Sequence, residues 1–300
     1  MNSSILPNLI SYQLPAGTQS HICRVEDYSV HYLERGKGIP VFMMHGNPSW
    51  SFLYRKIMGA LDTNRYRCIA PDLVGLGFSS KPRKSSFHTL DNHQRIISKF
   101  LEKLIDQDFI FVGQDWGGPI GLLASMHHTQ QLKGMVVLNT SFRPPRAGFK
   151  PTAFHKFSRI PLVSDVVFRL FQFPQAYLHT AQGNSRSISG LVKKAYTYPL
   201  RKISQNMAPL MLARMVPHHL DHPSVNFLKQ TEAYAAAFEG PVSLVWGKND
   251  PILGGLLSAH QRLMPKARVQ LTEGGHFVQE EFPELIAAEI DIVRKEAFDR

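Results

Sequence analysis

Asp115 lies in a glycine-flanked turn that could present a reactive carboxylate. The motif Gly113-Gln114-Asp115-Trp116-Gly117-Gly118 separates a predicted strand from a predicted helix. Such a tight turn exposes a nucleophile at the helix N-terminus, and Asp stands here where many hydrolases carry Ser. Taken alone, the hexapeptide is as typical of a structural turn in which the aspartate caps the helix.

Two later loops supply an acid and a base. Asp250 follows a predicted strand at residues 242–246, and His276 lies in Gly274-Gly275-His276-Phe277 after the last predicted strand. The chain order nucleophile, acid, histidine is that of the α/β-hydrolase arrangement. Each of these residues alone is more often an ordinary loop residue. All three at strand ends in this order predict a catalytic triad.

A fourth loop, His45-Gly46-Asn47-Pro48, follows a predicted strand at residues 41–44. We expect its backbone to turn inward. The amide N–H of Asn47 and that of Trp116 would then form an oxyanion hole beside Asp115. His45 itself is expected to hold the turn and not to react.

The remaining motifs predict neither a cofactor nor a metal. The string Gly75-x-Gly77-x-x-Ser80 lacks the third glycine of a dinucleotide fingerprint, so no nicotinamide or flavin site is expected. The histidines of residues 218–222 match no zinc or calcium pattern and are interpreted as surface residues. Asp72 is interpreted as structural.

The elements that must position these loops alternate along the chain. Short apolar runs at residues 41–44, 66–70, 109–112 and 135–138 are separated by segments with helical periodicity, such as residues 51–61 and 89–105. This alternation predicts an α/β fold with a mostly parallel central sheet flanked by helices. Ligands of such sheets bind beyond the carboxyl ends of the strands, where the triad residues fall.

The alternation stops between residues 141 and 223. This stretch is rich in proline and aromatic residues and shows no clear strand, so it predicts a helical cap over the strand ends. The alternation resumes with a predicted helix at residues 224–238. We therefore predict a main domain of residues 1–140 and 224–300, with a cap domain of residues 141–223.

The predicted cap carries most of the excess charge. The chain has a formal charge of +11, and residues 141–223 contain twelve Lys or Arg against two Asp. The simplest interpretation is a solvated basic face, and the alternative is weak association with anionic surfaces. Nucleic acid is a minor interpretation, because no DNA- or RNA-binding motif accompanies the basic residues.

Composition predicts a self-sufficient globular protein. The 300 residues are 43% hydrophobic and 19% charged, which excludes wholesale disorder and a coiled coil. Cys23 and Cys68 are too few for a disulfide framework, and residues 1–20 lack the features of a signal peptide. No apolar run approaches the roughly 20 residues of a membrane-spanning helix. We expect a cytoplasmic location.

The loops together resemble the haloalkane dehalogenases of the α/β-hydrolase superfamily. The similarity rests on residues 45–48, 77–82 and 113–118, on the acid loop and on Gly275-His276-Phe277, and it covers residues 25–140 and 224–298. It implies the α/β-hydrolase fold and a reaction of a small halogenated aliphatic substrate with water. Asp115 would displace the halide to form an alkyl ester, and water activated by His276 and Asp250 would hydrolyse it to an alcohol, a halide and a proton.

The resemblance also implies two halide donors, the side-chain amide of Asn47 and the indole N–H of Trp116. In this family the second donor is either a cap tryptophan or the Asn after His-Gly, and residues 141–223 contain no tryptophan. The acid stands either at Asp250 or one strand earlier, where this chain has Asn139. This combination resembles the subfamily with Asn and Trp donors and the late acid. Its members often oligomerise, which makes a homo-oligomer an open expectation.

Three alternatives stay open. Epoxide hydrolases share the Asp nucleophile and the late acid, but they usually carry two cap tyrosines, for which Tyr177, Tyr196 and Tyr198 are candidates. Coelenterazine luciferases resemble the nucleophile turn but usually carry the earlier acid, which Asn139 replaces here. A non-catalytic ligand-binding protein would have no use for a complete set of nucleophile, acid, base and donors.

Overall fold

A single central sheet forms the frame of the molecule. The computed structural model describes residues 6–146 and 148–299, so residues 1–5 and 300 of the predicted main domain and residue 147 of the predicted cap lie outside the described residues. The strands are β1 (Gln19–Val25), β2 (Tyr28–Gly36), β3 (Ile39–Met44), β4 (Tyr66–Pro71), β5 (Phe109–Asp115), β6 (Leu132–Thr140), β7 (Val242–Gly247) and β8 (Arg268–Thr272). Their order in the sheet is β1-β2-β4-β3-β5-β6-β7-β8.

The direction of the strands confirms the predicted mostly parallel sheet. Strand β2 pairs antiparallel with β1 and with β4, whereas every pair from β4 to β8 is parallel. The carboxyl ends of β3, β5, β6, β7 and β8 therefore share one edge. The loops that carry the candidate residues leave the sheet from this edge.

Helices cover both faces of the sheet. Those of the described residues are α1 (Asn8–Ser11), α2 (Arg55–Ala60), α3 (Leu90–Leu104), α4 (Gly117–Ser125), α5 (Ala153–Phe157), α6 (Val163–Leu170), α7 (Gly190–Thr197), α8 (Ala208–Arg214), α9 (Ser224–Ala237), α10 (Leu257–Leu263), α11 (Val278–Glu281) and α12 (Pro283–Phe298). Short 3-10 turns occur at Ser51–Tyr54, Ser85–Phe87, Met126–His128, Gln175–Ala181, Ser185–Ile188, Tyr198–Leu200, Ile203–Gln205 and Gly254–Leu256. None of the described helices is long and apolar enough to cross a bilayer.

Strand β5 shows why its sequence is continuously apolar. Phe109 and Phe111 pack into the core on one face of the sheet, and Ile110 and Val112 pack into the core on the other. Successive side chains of a strand point to opposite faces, so a strand covered on both sides needs apolar residues at every position. The same burial fixes the position of the turn that follows β5.

One predicted helix is shorter in the structure, and one strand was not predicted. The helix predicted at residues 51–61 is a 3-10 turn, Ser51–Tyr54, followed by the shorter helix α2. Strand β1 was not predicted, because its alternation is weak: only Val25 of its seven residues is buried. By contrast, α3 begins one residue after the predicted start, since the Thr89 side chain caps it by accepting from the Asn92 N–H at 3.1 Å.

Residues 141–223, called the cap below, contain helices α5 to α8 and no strand in the part that the structure describes. Arg214 connects two of these helices, because its guanidinium donates to Asp165 at 2.8 Å and to the Ser158 carbonyl at 2.8 Å. The buried Phe168 packs in a small core of the cap itself. The division of the chain into two domains stays a prediction.

Candidate active site

Asp115 ends strand β5 in a conformation that few residues adopt. Its φ is +51°, in the left-handed region that non-glycine residues rarely occupy. The turn packs closely against the end of β3. A Cβ on Gly117 would lie 2.1 Å from the Met44 carbonyl oxygen, so only glycine fits at this position. Helix α4 begins at Gly117 and continues away from the turn. This geometry is that of a strained nucleophile turn.

Backbone amides hold the Asp115 carboxylate. The Asn47 N–H donates to Oδ1 at 2.7 Å, and the Trp116 N–H also donates to the carboxylate. A Cβ on Gly46 would stand 2.2 Å from Oδ1, so glycine allows the loop after β3 to pass this close. Two N–H groups therefore converge where negative charge is present or would develop.

His276 lies between two carboxylates. Its Nδ1 is 2.9 Å from Oδ2 of Asp250, and its Nε2 is 3.7 Å from Oδ2 of Asp115. The ring is buried, as is Asp250. The structure thus brings together the three residues that the sequence predicted as a triad, from the ends of β5, β7 and β8.

Asn139 at the end of β6 is a partner that sequence reasoning missed. Its Nδ2 donates to Oδ2 of Asp250 at 2.8 Å, and its Oδ1 accepts from the Gly247 N–H at 2.8 Å. The sequence showed only that this position lacks a carboxylate. In the structure the amide fixes the carboxylate that faces His276.

Gln114 was also missed. Its Nε2 lies 3.2 Å from Nε2 of His276 and donates to the His276 carbonyl at 3.1 Å. Because His276 Nδ1 faces Asp250, that nitrogen carries the proton and Nε2 is the acceptor. Nε2 is therefore the ring nitrogen that is available to take a proton. No signal beyond its place before Asp115 distinguishes Gln114 in the sequence.

The charges of the triad shift one another's pKa values. Burial raises the pKa of Asp115, and the His276 charge and the two backbone N–H groups oppose this. Burial alone would lower the pKa of His276, but the charge and hydrogen bond of Asp250 and the charge of Asp115 together raise it. Burial likewise works against the charged form of Asp250, yet the His276 charge lowers the pKa of that carboxyl. The three groups thus favour an ionised Asp250 facing a more basic imidazole.

The two side-chain donors predicted for the leaving group both contact helix α8. The Asn47 Nδ2 donates to the Pro209 carbonyl at 2.9 Å, and the Trp116 Nε1 donates to the Leu212 carbonyl at 2.9 Å. The Asn47 Oδ1 is buried and has no hydrogen-bond partner among the described residues. The indole has a single N–H, so it is fully engaged by the cap.

Two cavities meet at Asp115. The first, about 320 Å³, extends from Asn47 and His276 to Phe173 and Tyr177 of the cap. The second, about 450 Å³, extends towards Arg143 and Leu256. Both are lined by a shared set of residues: Asp115, Trp116, Thr152, His155 and Ile252.

Known proteins with similar sequences place this geometry in a family. The alpha/beta hydrolase fold family matches residues 39–283. Haloalkane dehalogenase 2 of Mycobacterium bovis is 32% identical over 275 residues, which cover 87% of this chain and 90% of that protein. The chain belongs to the haloalkane dehalogenase family.

A second relative of similar sequence identity is named for a different activity. The cis-3-alkyl-4-alkyloxetan-2-one decarboxylase of Shewanella oneidensis is 29% identical over 258 residues, covering 84% of this chain and 80% of that protein. Among solved structures, the tetrameric haloalkane dehalogenase DpaA of Paraglaciecola agarilytica superposes with a TM-score of 0.79 at 23% identity, covering 96% of this chain and 97% of that one. At this identity the superposition shows the fold, and the predicted α/β-hydrolase fold is confirmed. The subfamily stays a prediction.

The candidate tyrosines of an epoxide-opening site are not gathered in this member of the dehalogenase family. Tyr177 lines the first cavity. Tyr196 is buried elsewhere, with its hydroxyl donating to Glu280 at 2.5 Å. Tyr198 stacks against Phe78. The paired tyrosines that the epoxide hydrolase interpretation needs are therefore not both at Asp115.

Other candidate groups support loops. The His45 Nε2 accepts from the Leu73 N–H at 3.0 Å, and Asp72 accepts from the Ser51 N–H at 2.8 Å. His219 pairs with Asp221 at the surface. Within residues 6–146 and 148–299, no group of three His, Cys, Asp or Glu side chains is arranged to hold a metal ion.

Proposed function

We propose that this protein, a hydrolase acting on carbon–halide bonds, works through an alkyl ester on Asp115. The observation that carries the proposal is the setting of that carboxylate. It stands where two cavities meet, with Oδ1 held by the Asn47 N–H at 2.7 Å and Oδ2 facing His276 at 3.7 Å. A small halogenated aliphatic substrate would place its halogen-bearing carbon at this junction.

In the first step Oδ2 of Asp115 attacks the substrate carbon. A carbon–oxygen bond forms, the carbon–halogen bond breaks, and its electron pair leaves with the halide. Because Oδ1 accepts from the Asn47 N–H and Oδ2 faces His276, Oδ2 is the oxygen proposed to attack. Oδ1 then becomes the carbonyl oxygen of the ester.

In the second step water attacks the ester carbonyl. His276 Nε2 takes a proton from that water, and Asp250 stabilises the imidazolium that forms. The negative charge develops on Oδ1, to which the Asn47 N–H already donates, and the Trp116 N–H bonds to the same carboxyl group. Collapse of the intermediate releases the alcohol and restores the carboxylate, and the proton is lost to solvent.

For the halide we propose the side chains of Asn47 and Trp116 as donors. Both N–H groups bond to carbonyls of α8 at 2.9 Å. Binding of the halide would therefore exchange these carbonyls for the anion. A small displacement of α8 would accompany each turnover.

The proposal is tested by trapping the ester. His276→Gln should stop after the first step, so mass spectrometry after incubation with 1-bromobutane should find one alkyl group on the peptide that contains Asp115. His218→Gln, a change in an exposed cap histidine, is the matched control and should turn over without accumulating an adduct. If the wild type releases bromide while His276→Gln carries no adduct, the two-step mechanism is wrong.

A second candidate function is suggested by the paired cavities. A cis-3-alkyl-4-alkyloxetan-2-one carries two alkyl groups, and cavities of about 320 and 450 Å³ that meet at Asp115 would give each group its own space. The test is a panel of bromo- and chloroalkanes, epoxides and a dialkyl oxetanone. Halide release supports the dehalogenase, diol formation an epoxide hydrolase, and alkene with carbon dioxide the decarboxylase.

We also propose that the basic cap associates with anionic lipid. Besides the charge excess of the cap, α6 and its flanks expose large apolar side chains: Leu162, Val163, Val166, Leu170 and Phe171. An apolar face with basic residues around it is typical of interfacial association. Flotation with vesicles of phosphatidylglycerol, but not of phosphatidylcholine, at low salt is the expected result. Absence of flotation with both would leave a solvated basic face.

The same exposed face is a candidate contact in a homo-oligomer, which the tetrameric relative makes a natural proposal. Light scattering after size-exclusion chromatography measures the oligomeric state and so distinguishes an oligomer contact from a lipid contact. A Leu162→Asp change should lower vesicle binding in one case and dissociate the oligomer in the other.

A further inference from the structure

His155 is a cap residue at the point where the two cavities meet. It lies on α5 and lines both cavities together with Asp115 and Trp116. Its side chain is largely buried, with 8% of the residue exposed. Neither the triad nor the two predicted halide donors make use of this residue.

The hydrogen bonds of Thr152 indicate which ring nitrogen of His155 carries the proton. The Thr152 Oγ1 caps α5 by accepting from the His155 backbone N–H, and it lies 2.8 Å from the His155 Nδ1. The hydroxyl proton has no other acceptor among the described residues, so we assign it to the hydrogen bond with Nδ1. With Nδ1 as the acceptor, Nε2 carries the ring proton.

The Nε2–H of His155 is unengaged. It has no hydrogen-bond partner among the described residues, and it is not one of the buried unpartnered atoms, so it keeps access to the cavity. Burial, with the charges of Arg159 and His276, lowers the pKa of His155 to about 4. The ring is therefore neutral near pH 7, and the proton on Nε2 is available to a hydrogen bond.

The side-chain N–H groups of the two predicted halide donors are engaged by the cap, whereas the Nε2–H of His155 is not. The indole of Trp116 donates its single N–H to the Leu212 carbonyl, and the Asn47 Nδ2 donates to the Pro209 carbonyl. His155 offers an N–H in the two cavities that Asp115 also lines, and no acceptor among the described residues holds it. A donor that needs no exchange of partners is already organised for a developing anion.

We infer that His155 is a leaving-group donor supplied by the cap, whose Nε2–H binds the halide as it departs from the substrate carbon. The inference rests on the proposed function. It assigns this cap residue a place in the first step only: the carbon–halogen electron pair goes to the halide, and the imidazole keeps its proton. Ester hydrolysis by His276 does not involve it.

The test compares two substitutions of His155. His155→Phe keeps a ring and removes the donor, whereas His155→Gln keeps an N–H near the position of Nε2. We expect His155→Phe to slow the single-turnover alkylation step by about 10²-fold and to weaken bromide binding, while the hydrolysis step stays unchanged. His155→Gln should restore most of both. Thr152→Val, which frees Nδ1, should give a smaller loss of the same kind, and His218→Gln is the unaffected control.

The leaving group provides a readout that a structural role would not move. Small halides accept stronger hydrogen bonds, so the loss in His155→Phe should be greater for 1-chlorobutane than for 1-iodobutane. Equal losses for both halides, or equal losses in the Phe and Gln variants, would make His155 structural. Unchanged alkylation and bromide affinity in His155→Phe would overturn the inference with dehalogenation intact. A wild type that neither releases halide nor forms an adduct would overturn the proposed function, and the inference with it.

Discussion

The two sides of Asp115 are built differently. On the sheet side, His276, Asp250 and Asn139 lie at the ends of parallel strands and bond to one another at 2.8 and 2.9 Å. On the cap side, the indole of Trp116 and the amide of Asn47 are bonded to backbone carbonyls of α8. The sheet-side groups are bonded to one another, whereas the cap-side N–H groups are bonded to carbonyls of helix α8.

The difference separates two tasks. Groups on the sheet side need no rearrangement to activate water, because their partners are fixed by strand pairing. If Asn47 and Trp116 are the halide donors proposed above, each would exchange a carbonyl of α8 for the halide at every turnover. We therefore expect substitution of His276 or Asp250, on the sheet side, to slow ester hydrolysis. Substitutions on the cap side should change halide affinity and the choice of substrate.

The largest effect should follow from Asp250→Asn. Losing the orienting acid of a triad typically costs about 10⁴-fold in turnover, because the imidazole loses its tautomer and its counter-charge. The Asp250 carboxylate also raises the pKa of His276. Since the neutral imidazole is the active form, activity falls as the pH drops through this pKa. The residual activity of Asp250→Asn should therefore persist to lower pH than that of the wild type.

Measurement of kcat against pH in both proteins checks this expectation, with Asp221→Asn on the cap surface as the control. An Asp250→Asn protein that keeps most of its activity would place the orienting acid elsewhere. The pH at which kcat falls on the acid side of the profile should also be compared between the two proteins. If that pH is the same in both, Asp250 does not set the pKa of His276.

Trp116→Phe should have the next largest effect, on the cap side. Removal of one donor to the developing charge costs roughly 10² to 10³ in rate, and here it also leaves the Leu212 carbonyl of α8 without its partner. Dehalogenation and bromide affinity should both fall. Titration calorimetry with bromide measures the second quantity directly. Unaltered affinity would mean that other groups hold the halide.

Asn139→Ala should act mainly on stability. The change leaves the buried Gly247 N–H unpaired and removes a donor to Asp250. A buried group without its partner costs about 1–3 kcal/mol, so the free energy of unfolding in urea should fall by that amount. Asn64→Ala, in an exposed loop, is the comparison. A variant as stable as the wild type would show that water replaces the amide.

The smallest effect should come from Leu162→Gly. Leu162 has a φ of +62° with a ψ of −51° and is 80% exposed at the start of α6. The Val163 N–H bonds to the Pro161 carbonyl across it, which makes this a γ-turn that is strained for any residue with a Cβ. Glycine removes that strain, so the free energy of unfolding should rise by up to about 1 kcal/mol without a change in kcat. Leu170→Gly makes the same change within the helix and should lower the free energy of unfolding by about 1 kcal/mol. Equal losses in both variants would show that the backbone at Leu162 is not strained.

The fold could be predicted largely from β5 and its neighbours. A run that is apolar at every position followed by Gly113-Gln114-Asp115-Trp116-Gly117-Gly118 indicates a strand buried on both faces and a tight turn. Helix α9, predicted at residues 224–238, begins at Ser224 and ends at Ala237. Strand β1 escaped because it is an edge strand with mostly exposed residues, so it lacks the alternation that burial imposes.

The site was predictable where chemistry restricts the residue type, and not where partners come from distant sequence. Asp115, Asp250 and His276 stand in recognisable loops, and the structure brings them together. The contact between Asn47 and Pro209 joins residues 162 positions apart. No local pattern reports such a pair. His155 was overlooked for the same reason, since only the packing of α5 puts it in the cavities.

The hydrogen bond from the Asn47 N–H to Oδ1 of Asp115 determines which carboxylate oxygen enters the alcohol, and oxygen isotopes can follow this. If Oδ1 stays in place through both steps, the alcohol always takes its oxygen from the Oδ2 position, and the water oxygen takes that position next. In ¹⁸O-labelled water the first alcohol from each enzyme molecule should therefore be unlabelled, and the second should be labelled throughout. A carboxylate that rotated freely between turnovers would label only half of the second alcohol, so the second turnover records whether one hydrogen bond persists.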